Sequence, residues 1–404
     1  MTKRLYYHDT FLHEFEGEVA RVIEGEKPAV VLDQTAFYPT SGGQVFDQGK
    51  LGSGGAELRV EQVEETENGE IVHYINPADV TNVKVGQKVR GFIDTRRRHD
   101  HMQQHSGQHV LSAAFEKLYH LPTVSFHMGE ESCTIDLATQ KLTDDQMRAA
   151  EELANRVVFE NRAVAIKFVP LEEAKQMGLR KLPDVGKDEL RLINIADFDL
   201  CACGGTHVQS TSQIGPILVR KSEKVKQGFR VEFVCGDRAL RTTRRDYETL
   251  VQSAALFSAY IYEVPKQITK SLDEIKAAKK AEHKLLEELA EFWAGKLAAE
   301  SLQSGSRKVV QQVFGDRDLT FVKLLAQKLS RYQGVVALLG TTAGQPSIVL
   351  SRSQDVEVDV SALLKEALAA AGGRGGGTKD LAQGGIADGA KIPELLDQIR
   401  SKLP

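Results

Sequence analysis

Residues four apart on a helix lie one turn apart on the same face. His105 and His109, in His105-Ser106-Gly107-Gln108-His109, have that spacing, so their imidazoles can share one metal ion. His101 extends the stripe, and the same pattern also describes a partly exposed histidine face. Far downstream, Cys203-Gly204-Gly205-Thr206-His207 offers a thiolate and a third imidazole. Its adjacent glycines oppose a regular helix and favour a tight loop. Sulfur with imidazole nitrogen suits zinc, although Cys201 is a rival ligand and an isolated cysteine also serves as a small buried apolar residue. A third cluster is Phe37-Tyr38-Pro39-Thr40-Ser41-Gly42-Gly43-Gln44. Pro39 stiffens its entry, and Gly42 and Gly43 let backbone amides approach a ligand. Thr40, Ser41 and Gln44 bring two hydroxyls and an amide, yet these residues equally make an ordinary turn. The stretch Gly372-Gly373-Arg374-Gly375-Gly376-Gly377 lacks the lysine and hydroxyl of a P-loop and the strand–loop–helix setting of a dinucleotide site. Close backbone packing or contact with an RNA backbone accounts for it at least as well.

These groups need a frame to bring them together. Residues 1–92 read as short strands, among them Pro28–Leu32, Leu58–Val63 and Ile71–Ile75, which suggests a small β-barrel. A long helix is expected over 94–119, capped by Asp94 or Thr95, inside an α+β segment covering 93–237. That segment ends in a hairpin-like pair, Ile214–Arg220 and Phe229–Cys235. Residues 238–304 are rich in Ala, Lys, Glu and Leu. After Pro265, the side chains of Ile268, Leu272, Ile275, Leu286, Leu289 and Trp293 follow alternating four- and three-residue steps, with Lys279 and Glu282 in the seam. A helical hairpin, a short coiled coil, or an amphipathic helix packed on its own chain all satisfy this pattern. Residues 305–404 read as a closing α/β unit with strands at Leu319–Val322, Val335–Leu339 and Ser347–Leu350. The expected class is therefore α+β: barrel, metal-binding core, helical linker and C-terminal α/β domain.

Composition limits the function classes. With 404 residues the chain exceeds one ordinary domain, and its 41% hydrophobic and 27% charged content is that of a globular protein. No apolar run is long enough for a membrane span, and the N-terminus lacks the apolar core of a signal peptide, so a cytosolic protein is expected. Four cysteines are too few for a disulfide framework. A net charge of −4 argues against indiscriminate coating of nucleic acid but leaves room for a local basic groove.

Taken in order, the motifs resemble those of the AlaX proteins, stand-alone relatives of the alanyl-tRNA synthetase editing domain. The likeness rests on Phe37 to Gln44 followed by Asp47 and Gly49, on His105 and His109 with Met102 upstream, and on Cys203 to His207. In the tail it rests on Gly375-Gly376-Gly377 and Ala382-Gln383-Gly384-Gly385, which resemble the domain that these synthetases share with DHH-type phosphoesterases. The likeness covers nearly the whole chain and fits the long AlaX form. It implies hydrolysis of Ser-tRNA(Ala), or also Gly-tRNA(Ala), and one zinc held by His105, His109, Cys203 and His207. No segment ahead of the barrel offers an ATP site, so editing in trans is expected rather than aminoacylation. Thr40, Gln44 and His127 are the expected catalytic or pocket residues. Gly42, Gly43, Arg96, Arg97 and Arg98 are expected to meet the substrate, with Lys221, Lys224 and Lys226 as further phosphate contacts. The resemblance also allows a homodimer through the helical or C-terminal region.

Two matters stay open at this level. Zinc could lower the pKa of a bound water to about 7, but four protein ligands normally make a closed, structural site. In the second case zinc organises the pocket or anchors the tRNA end, and Thr40 orients the water. The competing reading is a non-catalytic tRNA-binding and dimerisation protein with a structural zinc. A phosphoesterase is suggested only by the tail and lacks clustered aspartates.

Overall fold

A computed structural model describes residues 1–53, 56–76, 83–181, 188–304 and 307–403. The expected start of the last domain, residue 305, lies outside them. The chain divides into two compact units, Met1–Gln252 and Ser253–Pro404, and the division falls within the helix Gly236–Leu256.

In the first unit six strands close into an antiparallel barrel, in the order Glu14–Ile23, Ala29–Leu32, Ile71–Ile75, Ala56–Glu65, Gly49–Ser53 and Lys88–Ile93. Leu32, Leu51, Leu58, Val60 and Ile71 fill its interior. Closure removes the unpaired edges that short strands would otherwise expose. The last strand leads into the helix Thr95–Tyr119, whose first turn is capped by Asp94 accepting from the Arg97 amide at 3.0 Å. His120, in the left-handed region at φ 54°, ends it. A four-stranded sheet, ordered Ile217–Val225, Gly228–Cys235, Cys133–Leu137 and Thr123–Met128, packs with the helix Asp144–Phe159 around this long helix. A separate three-stranded sheet, Val164–Pro170, Glu189–Ile195 and Asp199–Ala202, runs into the Cys203 loop.

The long helix is buried on nearly every side from Arg98 to Phe115, yet many of the residues it buries are polar. Buried polar groups need partners. Gln104 finds them on the sheet, accepting from the Cys235 amide at 2.9 Å and donating to its carbonyl at 3.0 Å.

The second unit is a six-stranded mixed sheet between helices. Its one parallel pair is Arg307–Phe314 with Val335–Thr341. Residues 319–322, expected as a strand, begin the helix Leu319–Leu329 instead. Asp318 caps it by accepting from the Phe321 amide at 2.9 Å, and Phe321, Val322, Leu325, Ala326 and Leu329 form the buried helical face. Four aromatic and β-branched residues read alone concealed that longer period. The glycine-rich stretch forms the edge strand Arg374–Gly377, paired with Leu381–Gly385 and packed against Leu368. Leu286, Leu289 and Trp293 of the helix Val264–Ala299 pack on this unit's core, while Ile268, Leu272 and Ile275 stay exposed. Among the described residues, no helix is long and apolar enough to cross a membrane.

Candidate metal centre

The helix and the Cys203 loop meet. The ligand atoms of His105, His109, Cys203 and His207 all lie within 4.8 Å of one another. Cys203 Sγ is 3.4 Å from His105 Nε2 and 3.3 Å from His207 Nε2. A tetrahedral zinc with ordinary Zn–S and Zn–N bonds has S–N edges of ~3.5 Å, close to these two distances.

Two of the three imidazoles are hydrogen-bonded at the outer nitrogen, and the third faces a carboxylate. His105 Nδ1 lies 2.7 Å from Gln44 Oε1, which also accepts from the Thr206 amide at 3.1 Å. An amide oxygen can only accept, so Nδ1 carries the hydrogen and Nε2 is left free toward Cys203. His207 Nδ1 meets Ser106 Oγ at 3.1 Å, and His109 Nδ1 faces Asp199 Oδ2 at 3.4 Å. Arg180 in turn holds Asp199 through two contacts of 2.8 and 3.0 Å. Such outer partners fix the tautomer and ring orientation of metal-binding histidines.

The electrostatics favour ligand-ready forms at His207 and Cys203, but not at His109. Burial drives the His207 pKa down to about 3, which keeps its ring neutral. Burial opposes ionisation of Cys203, but His105 and His207 beside it outweigh that and hold its thiol well below the ordinary range. Burial disfavours a charged His109, whereas Asp199 and Cys203 prevail and raise its pKa. Cys201, which donates weakly to the Ala202 carbonyl at 3.7 Å, is outside the cluster, and burial pushes its thiol up to about 11. His101 is outside it as well.

The loop geometry is demanding. Ser41 and Gln44 exchange backbone hydrogen bonds of 3.0 Å across Gly42 and Gly43, whose φ values of 57° and 83° are those of a tight hairpin turn. Gly43 thus belongs to a common turn, and the turn delivers Gln44 into the site. A Cβ on Gly205 would lie 2.1 Å from His105 Cε1, so only glycine lets this loop pass the ring. Phe126 stacks on His105 with ring centroids 5.4 Å apart.

Several expected site residues stand elsewhere or do different work. Gln44 is wholly buried and its Nε2 donates to Thr206 Oγ1 at 2.8 Å, so its amide positions His105 and the loop. Thr40 is exposed at the hairpin, its backbone amide tied to the Val63 carbonyl. His127 follows Phe126 on a strand, where successive side chains alternate between faces, and it lines a separate groove with Arg96 and Arg97. Arg98 requires correction: it is fully buried, paired with Asp47, and donates to the Thr10 and Ala36 carbonyls at 2.8 and 2.6 Å. It cannot reach a phosphate at the surface. Lys221, Lys224 and Lys226 lie on the hairpin Ile217–Val225 and Gly228–Cys235 and the turn joining its strands.

Sequence reasoning missed Ser106, Asp199, Arg180 and Arg191. Arg191 holds the metal loop by donating to the Cys203 carbonyl at 2.6 Å and to the Tyr7 carbonyl at 2.9 Å. Only Ser106, inside the histidine pair, stood near a recognisable motif.

Comparisons with known proteins agree in where they match. Family models for class II (A) tRNA synthetases, the second additional domain of threonyl and alanyl tRNA synthetases, and the DHHA1 domain match residues 2–97, 190–231 and 305–403. The alanine–tRNA ligase of Pyrococcus abyssi is 33% identical over 98% of this chain and 43% of its own length. That of Pyrococcus furiosus is 32% identical over 100% of this chain and 44% of its own. The chain thus spans less than half the length of these ligases. The alanyl-tRNA editing protein AlaX-L of Pyrococcus horikoshii is 32% identical over 100% of this chain and 98% of its own length.

Proposed function

From a chain that belongs to the AlaX-L family of alanyl-tRNA editing proteins, we propose a hydrolase that deacylates mischarged tRNA(Ala), chiefly Ser-tRNA(Ala), with Gly-tRNA(Ala) the second candidate substrate. The observation that carries this reading is the buried cluster of three imidazoles and one thiolate, with two of the outer nitrogens hydrogen-bonded. Zinc is the proposed ion and His105, His109, Cys203 and His207 its ligands. With four protein ligands it supplies a fixed positive charge and a rigid frame.

The chain's own residues would then meet the substrate. An aminoacyl ester is activated, so orienting a water and excluding the cognate amino acid go far toward hydrolysis. Thr40 is the residue proposed to do both, because its hydroxyl makes no hydrogen bond among the described residues. The Gln44 oxygen already accepts twice, which fits a positioning role. A site that hydrogen-bonds the serine hydroxyl rejects alanine, since alanine would leave a polar group unpaired. We further propose that Ile268, Leu272 and Ile275 support self-association.

Deacylation of Ser-, Gly- and Ala-tRNA(Ala) by the full chain tests the reading. Hydrolysis of the first, with or without the second, and sparing of the third are expected. Thr40→Val should slow Ser-tRNA(Ala) hydrolysis by about 10-fold or more while changing tRNA affinity little. Equal loss of hydrolysis and binding would remove Thr40 from the chemistry. No hydrolysis of any substrate would leave a tRNA-binding protein with a structural metal.

A further inference from the structure

In the metal cluster only Cys203 is part-exposed, and Gly204 next to it is exposed, so the cluster opens on this side. The side chain standing over Gly204 is Tyr7, at the end of the short helical turn Leu5–Tyr7. The three nearest neighbours of a Cβ on Gly204 would all be atoms of Tyr7, with Oη closest at 3.5 Å. Arg191 ties this segment to the metal loop, donating to the Tyr7 carbonyl at 2.9 Å and the Cys203 carbonyl at 2.6 Å. The Tyr7 ring is fixed as well. The guanidinium carbons of Arg4 and Arg191 lie 5.3 and 5.4 Å from its centroid, and Tyr6 meets it edge-on at 5.1 Å.

The direction of the Tyr7 side-chain hydrogen bond is settled by its partner. Arg4 Nη1 lies 2.7 Å from Tyr7 Oη, and a guanidinium can only donate. Tyr7 Oη therefore accepts, and its own hydrogen has no acceptor among the described residues. Accepting a bond from a cation also makes the hydroxyl a stronger donor. Arg4 is paired with Glu65, whereas Arg191 has no carboxylate partner among the described residues and its Nη2 makes no hydrogen bond. Tyr7 thus presents an unused donor, with an unneutralised guanidinium behind its ring, on the open side of the metal cluster.

We propose that the Tyr7 hydroxyl is a catalytic group that donates to the carbonyl oxygen of the scissile ester and stabilises the negative charge this oxygen gains. Naming the acceptor as an ester carbonyl rests on the proposed hydrolase function. In that reaction the water oxygen bonds to the ester carbon, and the carbonyl π electrons pass to the carbonyl oxygen. Collapse restores the carbonyl and expels the ribose oxygen, which takes up the proton that the water gives up. Tyr7 keeps its own proton throughout. A donor fixed in place before the charge appears needs no reorganisation when it forms. The flanking guanidiniums favour an acceptor that becomes anionic over a neutral ribose hydroxyl.

The test uses the full zinc-loaded chain and two non-hydrolysable probes, each carried on the 3′ adenosine of a hairpin copy of the tRNA(Ala) acceptor stem. In one, a planar amide replaces the serine ester. In the other, a phosphonate analogue of serine puts a tetrahedral centre with an anionic oxygen in place of the ester carbonyl. The unsubstituted chain should bind the phosphonate more tightly. Tyr7→Phe keeps the ring between its guanidiniums and removes only the hydroxyl. It should weaken phosphonate binding about 100-fold and amide binding less than about threefold, with zinc content and melting temperature unchanged. For Ser-tRNA(Ala), kcat should fall by a similar factor with KM nearly constant. Equal loss of both probes, unchanged phosphonate affinity, or loss of zinc from the variant would overturn the proposal. Deacylation by the unsubstituted chain together with a phosphonate preference untouched by Tyr7→Phe would sink the Tyr7 assignment alone. A preference that Tyr7→Phe abolishes, in a chain that deacylates no tRNA, would sink the hydrolase reading and leave the Tyr7 donor standing.

Discussion

At the residue scale, types and spacing only suggested a donor set, with Cys201 a rival, and the family resemblance is what singled out His105, His109, Cys203 and His207. Their partners were not legible. Gln44 looked like a group that reads substrate, because side-chain type says nothing about which neighbour takes its hydrogen bonds. In the fold its oxygen accepts from both His105 Nδ1 and the Thr206 amide. Gln44→Ala should therefore lower zinc affinity by about 10- to 100-fold, read by competition with a chromogenic chelator, the usual cost of losing an outer partner. Unaltered affinity would mean that His105 is oriented by packing against Phe126 alone. Asp199 was invisible for the same reason, since its nearness to His109 depends on the sheet that leads into the Cys203 loop.

At the element scale, the barrel and the long helix were readable from short apolar alternation and from the Asp94 cap. The error at 319–322 arose because four residues carry too little of the helical period, which shows only through Leu329. Arg98 went astray in a related way. A run of three arginines reads as a basic face, but on a helix successive residues point about 100° apart, and the third turns inward. There it joins Asp47, which also accepts from the Tyr38 amide at 2.7 Å, so one buried pair fastens the Gly42-Gly43 hairpin to the helix. Arg98→Met should destabilise the first unit by about 3–5 kcal/mol in chemical denaturation, because it strands a buried carboxylate. Adding Asp47→Leu should recover much of that loss. A loss below about 1 kcal/mol in the single variant would show that the pair is dispensable.

At the scale of the whole molecule, the stripe on the helix Val264–Ala299 was legible as apolar but not as divided. Its second half serves the core of its own unit, and its first half stays exposed, with Leu272 at 62%. Leu272→Glu should lower the self-associated fraction in sedimentation velocity without changing the melting temperature, and an unchanged sedimentation pattern would place any self-association elsewhere. The central claim joins the buried donor cluster to editing of mischarged tRNA(Ala). Its most direct test is deacylation of Ser-tRNA(Ala) by the chain as purified, after removal of metal by chelation, and after zinc is restored. Hydrolysis that falls on chelation, returns with zinc and stays absent in Cys203→Ala is the result expected. Full hydrolysis by the metal-free chain, with metal content verified by elemental analysis, would contradict it.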